Sequence, residues 1–154
     1  MKTLKLMILS ALAGFAARAL ACRAEFGAQD AWPAVQANFD ATGYQYRAVR
    51  FDAAQTCNVA SNAVSADGLE APAGILQNNP NSGQAATIAY AGLSKAVAGA
   101  AITTREYITT NGSGKVITAV SGDMVFGRAL EAVGAADEVV SVLLFPAVRW
   151  GSAA

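Results

Sequence analysis

The side chains that most often do chemistry in proteins are thinly represented in this chain. None of its 154 residues is histidine. Ser-His-Asp and Cys-His catalysis are thereby excluded, as is an imidazole metal ligand. Cys22 and Cys57 stand far apart and outside any CxxC pattern. Nothing demands a disulfide between them, and two free thiols are the expectation. Gly112-Ser113-Gly114-Lys115 is similar to the end of a phosphate-binding loop. That motif needs glycine where Thr109 stands and Ser or Thr where Val116 stands. It should also open a helix, whereas here it lies between two strand-like stretches, so a hairpin turn is expected. Asn111-Gly112-Ser113 matches a glycosylation sequon, which carries meaning only in eukaryotic secretion. Glu106, Asp123 and Glu131 are the carboxylates that could form an acid-base pair. They fall on strands or turns with no fixed mutual spacing and read as solvated. Tyr44, Tyr46, Arg47, Arg50 and Phe51 mix aromatic and basic residues as single-strand binders do. One such group on a neutral protein reads better as a strand with one packed face. No catalytic, cofactor-binding or metal-ligating residue is assigned, and no cofactor is expected.

Composition points the same way. Eleven basic and eleven acidic side chains leave no net charge. Nucleic acid is therefore not expected as a partner, because duplex binding rests largely on Lys and Arg neutralising phosphates. Charged residues make up only 14% and apolar residues 54%, against a usual charged share of ~25%. Such a chain has little charge with which to cover itself, and a subunit whose surface is hidden against neighbours fits that description. Its length suits one domain with a real core.

The N-terminal 22 residues admit two readings. Lys2 and Lys5 precede an apolar run from Leu6 to Ala17, and Ala19-Leu20-Ala21 fits a small-x-small cleavage site. A secretory signal peptide cleaved after Ala21 is one expectation; a lipoprotein anchored at Cys22 is weaker. A membrane span is not expected, since the run falls short of the ~20 residues required. Arg18 and Arg23 flank the site poorly for cleavage and favour a retained helix. Leu4, Ile8, Ala11, Leu12, Phe15 and Ala19 then share one face, with Leu6, Leu9 and Ala13 making the other side apolar. A helix apolar all round must be buried against something.

Residues 24–43 read as a linker with anchoring aromatics, Phe26, Trp32 and Phe39, kept irregular by Pro33. From Tyr44 onward short strands are expected: Tyr44 to Phe51, Gly74 to Leu76, Gln84 to Tyr90 and Ser94 to Ala98 divided by Gly92. Ile102 to Thr110, Lys115 to Val120, Met124 to Leu130 and Glu138 to Phe145 follow, the last stopped by Pro146. Turn residues recur between them, at Asp67-Gly68, Asn111 to Gly114, Gly122-Asp123 and Gly134 to Asp137. This pattern predicts a mainly β fold: a small compact β-barrel or a β-tulip-like sandwich, with an N-terminal apolar helix and an extended arm. The domain division is residues 1–43 for helix and arm, 44–150 for the β-domain, and 151–154 for a tail.

Four runs in order resemble the capsid cement, or head decoration, proteins of tailed phages. They are Gly74-Ile-Leu-Gln-Asn78 with Pro80 and Gly83-Gln-Ala-Ala-Thr87; Gly92-x-Ser94-Lys-Ala-Val-Ala-Gly-Ala-Ala-Ile102; the Asn111 to Lys115 hairpin; and Gly122-Asp-x-x-x-Gly127-x-Ala-Leu-Glu-Ala132 with the Val139 to Leu144 strand. The resemblance extends from Tyr44 to Trp150 and leaves residues 1–40 outside it. It implies a structural virion protein without enzymatic activity. Such a protein binds the outer surface of a phage head, clamps neighbouring major capsid subunits and is assembled in the bacterial cytoplasm. Expected partners are the major capsid protein and further copies of this chain, as a homotrimer rather than a dimer, with neither nucleic acid nor membrane. Candidate capsid or oligomer contacts are Leu4, Ile8, Leu12, Phe15, Phe26, Trp32, Phe39 and Trp150. The alternative is a secreted or periplasmic β-domain released after Ala21. A third reading is an enzyme using carboxylates such as Glu106 and Asp123.

Overall fold

A computed structural model describes residues 29–52, 56–60 and 71–151, with the backbone alone for residues 29–34. The expected N-terminal helix, the Ala21 cleavage site and the contact residues Leu4, Ile8, Leu12, Phe15 and Phe26 lie outside the described residues. Among those described, every regular element is a strand. They are β1 (Gln29–Ala37), β2 (Ala48–Phe51), β3 (Thr56–Val59), β4 (Gly74–Leu76) and β5 (Ala85–Val97), followed by β6 (Tyr107–Thr110), β7 (Val116–Thr118), β8 (Met124–Ala129) and β9 (Val139–Arg149).

The first five close into a small barrel. β1 pairs parallel with β3, then β3 with β2, β2 with β4 and β4 with β5 follow antiparallel, and β5 returns antiparallel to β1. Closure leaves no free strand edge in this ring. The far half of β5 leaves the barrel and carries a second sheet in the order β9-β8-β6-β7. That sheet curls back: Val116 bridges Ala98 just past the end of β5, and Gly99 N–H donates to Val116 O at 2.7 Å.

Two apolar cores result, and one wall separates them. On β2, Ala48 enters the first core and Val49 the second; on β4, Ile75 and Leu76 divide likewise; on β5, Ala89 and Ile88 do so. Alternation along a strand sends neighbouring side chains to opposite faces. A wall buried on both sides must therefore be apolar at consecutive positions, which is why Ala48-Val49, Ile75-Leu76 and Ile88-Ala89 read as runs. Phe126, Ile108, Val140, Val142 and Leu144 fill the first core; Val35, Cys57 and Ala86 help fill the second. Small residues set the spacing: a Cβ on Gly74 would lie 2.1 Å from Ala89 O, and one on Gly127 would lie 2.9 Å from Leu143 O.

Several boundaries differ from those expected. The stretch taken as a linker contains β1, the strand that closes the barrel. Pro33 is accommodated because the β1–β5 register shifts between Trp32 and Val35, and a bulge removes the need for a ladder N–H. Pro146 likewise does not end β9. The β8–β9 register slips between Val125 and Gly127, so that four residues of β9 span two of β8. Gly92 does not divide two strands; β5 runs through it with φ of 86°. There Gly92 is partner to both Gln29 and Leu144, where β5 passes from β1 to β9. Tyr44 to Arg47 form turns, with Tyr44 N–H donating to Ala41 O and Arg47 N–H to Tyr44 O, so β2 begins only at Ala48. β3 lies in a stretch too small and polar to have been read as a strand.

Candidate functional site

The carboxylates do not converge. Glu106 Oε2 accepts from Thr118 Oγ1 at 2.6 Å and from Thr103 N–H at 3.1 Å. Asp123 Oδ2 accepts from Val120 N–H at 2.8 Å, and Glu131 Oε1 from Ser141 N–H at 2.7 Å. Asp123 caps its own turn, Glu106 links the turn at Thr103 to Thr118 on β7, and Glu131 reaches Ser141 on β9. The Thr118 hydroxyl, then the Thr103 amide, holds Glu106 below the ordinary carboxylate range, and the contacts with Ser141 do the same for Glu131. Among the described residues no three Cys, Asp or Glu side chains gather as a metal site would require. Cys57 is fully buried in the second core as a free thiol, and burial pushes its pKa up. It is inert rather than nucleophilic.

The glycine-rich segment is the expected hairpin between β6 and β7. Asn111 Oδ1 accepts from Ser113 N–H and Lys115 N–H at 2.9 and 3.1 Å. Lys115 turns to Asp137, 2.6 Å away, so the loop presents no cradle for phosphate. The aromatic and basic residues near Tyr44 form no flat platform either. Phe39 stands edge-on to Tyr44 with ring centroids 5.4 Å apart, and the Arg47 guanidinium lies 4.5 Å from the Tyr44 ring. Phe39, Tyr44 and Phe51 pack against the second core.

A surface with different character lies on the outside of the second sheet. Cross-strand register aligns Leu93 with Leu143, Leu143 with Arg128, and Arg128 with Tyr107. β9 explains this row. Val140, Val142 and Leu144 point inward and are buried, while Val139 and Leu143, on the opposite face, are 48% and 41% exposed. Leu93, Leu130, Val148 and Trp150 extend the same exposed apolar set. Two hollows mark it. Leu93, Lys95, Leu130 and Ser141, with Tyr46 and Gln77, enclose about 530 Å³. Tyr107, Arg128, Leu143, Phe145, Arg149 and Trp150 line an open hollow of about 360 Å³. In the second hollow Tyr107 is the hub. Trp150 lies 5.4 Å from it, Phe145 lies 6.4 Å away edge-on, and the Arg128 guanidinium is 4.9 Å from its ring centroid. Arg128 Nε also donates to Arg105 O at 3.0 Å.

Of the expected contact residues, Trp150 joins this surface, Phe39 is half-buried elsewhere, and Trp32 is placed by its backbone alone, opposite Ile88. Tyr107, Arg128, Leu143 and Phe145, which line the second hollow, are not among the expected contact residues. The available signal was the apolar character of both faces of Val139 to Phe145, which a strand covering a core on one side alone does not need.

No protein-family model matches the chain, and no curated protein matches it. Among solved structures, the fold is similar to that of the N base of the head fibre protein gp8.5 in bacteriophage phi29. The TM-score is 0.57 at 16% sequence identity, over 75% of this chain and 93% of that chain. At that identity the likeness is one of fold.

Proposed function

We propose that this protein is a structural component of a phage head, seated on the outer surface of the shell and tightening the contacts between major capsid subunits. The fold likeness to the base of a phage head fibre carries this reading. The sequence runs that resemble the head decoration proteins agree with it. The surface chemistry supports it: the prominent feature of the described residues is an apolar sheet face, while the carboxylates are engaged singly at turns. Large exposed apolar patches mark interaction sites. A subunit of zero net charge can crowd a shell without mutual repulsion, and several weak contacts across neighbouring subunits combine through effective concentration. Assembly as a homotrimer would supply three such contacts at once.

The test is direct. Purified heads lacking the protein are incubated with the full chain and imaged, then heated. Regularly spaced added density on the exterior and a raised temperature of DNA release are expected. Bare heads with unchanged heat resistance overturn the proposal.

A further inference from the structure

The aromatic hollow is more selective than an apolar patch. Its charged lining side chains are Arg128 and Arg149, and among the described residues no carboxylate lines it. The acids of the neighbouring elements are engaged: Glu131 with Ser141 N–H, Asp123 with Val120 N–H, and Glu106 with Thr118 and Thr103. Arg128 is held in place by the Tyr107 ring and by Arg105 O. A chain with no net charge thus sets two guanidinium groups beside exposed aromatic rings. A second copy docking this patch on its own counterpart would bring arginines against arginines, which complementary interfaces avoid. The complement is a surface both acidic and apolar.

We propose that this hollow docks an acidic, apolar peptide segment of the shell protein. A carboxylate of the segment meets Arg128 and Arg149, and an apolar or aromatic side chain packs on Tyr107 and Trp150. Planar guanidinium groups suit carboxylates, and exposed Trp, Tyr and Arg are the residue types that dominate binding energy at interfaces. The inference rests on the head-binding reading above and names the contact through which it operates.

The experiment titrates purified heads lacking the protein with the full-length chain, with the Arg128→Glu/Arg149→Glu double variant, with Trp150→Ala and with Lys115→Gln, a change outside the hollow. Circular dichroism melts establish that each variant is folded; should the double variant fail, Arg149→Glu alone takes its place, since that side chain is exposed on β9. The double variant and Trp150→Ala are expected to bind about tenfold or more weakly. Lys115→Gln is expected to bind as the wild type, and wild-type binding to weaken as salt is raised. Folded hollow variants that bind like wild type overturn the inference and leave the head-binding reading standing. So does sedimentation showing a wild-type oligomer that the double variant dissolves, because a second copy then covers the hollow. Wild-type protein that leaves heads bare overturns the head-binding reading, and the inference with it.

Discussion

At the scale of single residues, glycine placement sets how closely the walls approach. Gly74 has φ of 154°, a conformation side-chain-bearing residues rarely adopt, and a Cβ there would sit 2.1 Å from Ala89 O, a backbone atom of the facing strand. Gly74→Ala is therefore expected to cost about 2–4 kcal/mol, lowering the melting temperature by roughly 4–16 °C. A calorimetric scan checks this. The turn carboxylates predict a pH dependence. Contact with Thr118 and then Thr103 holds the folded Glu106 pKa below the ordinary range, and Asp137, beside Lys115, is lowered likewise. A carboxylate depressed on folding stabilises fully above its unfolded pKa, ~4.3 for glutamate, and that contribution is lost as pH falls through the folded value. Urea midpoints should thus fall between pH 5 and 3, and Glu106→Gln should fall less over the same interval. An equal fall in both proteins would show that Glu106 contributes nothing to acid sensitivity.

At the scale of elements, β1 is the decisive strand. It is the strand that joins β3 to β5, and it contributes Val35 and Ala37 to the second core. Removing residues 1–43 would strip one edge of β5 from Ala85 to Gly92 and expose Ile88, Cys57 and Leu76. That truncation is expected to abolish cooperative unfolding in a denaturant titration, whereas removal of residues 1–22 touches none of the described strands and should leave the transition intact. β1 was hidden in the sequence because Pro33 interrupts it and because alanine and glutamine dominate it. Local propensity could not reveal that a bulge at Pro33 lets both flanks pair. Pro146 misled in the same way on β9. By contrast the β6–β7 hairpin was legible from Asn111-Gly112-Ser113-Gly114, since turn chemistry is local and its requirements appear in adjacent residues.

At the scale of the whole molecule, the topology sets how the chain must fold. The β1–β5 ladder joins residues such as Gln29 and Gly92, and the parallel β1–β3 pair cannot form as a hairpin. Long loops must therefore close before these contacts stabilise anything. Refolding after a stopped-flow dilution is expected in milliseconds to seconds, as for other non-local β topologies, rather than in microseconds. Microsecond refolding would show that a local hairpin commits the fold before the barrel closes. Two cores share one wall, and Ala48, Ala60, Ala89, Ala96 and Ala98 are all fully buried in the first of them, small side chains that let the second sheet pack close to the barrel.

The sequence by itself determined the β class, the turn positions rich in glycine and asparagine, the absence of histidine chemistry, and the apolar strands that supply both cores. These follow from side-chain type and from spacing of a few residues, where local sterics and alternation act. Tertiary structure decided that the chain closes as a barrel through β1, that Gly92 passes β5 between partners, and that Glu106, Asp123 and Glu131 stand apart at separate turns. It also decided that Tyr107, Arg128, Phe145 and Trp150 meet on one outward face. Those residues lie on β6, on β8, within β9 and just past its end, and strand register, which depends on pairing between distant segments, is what brings them together.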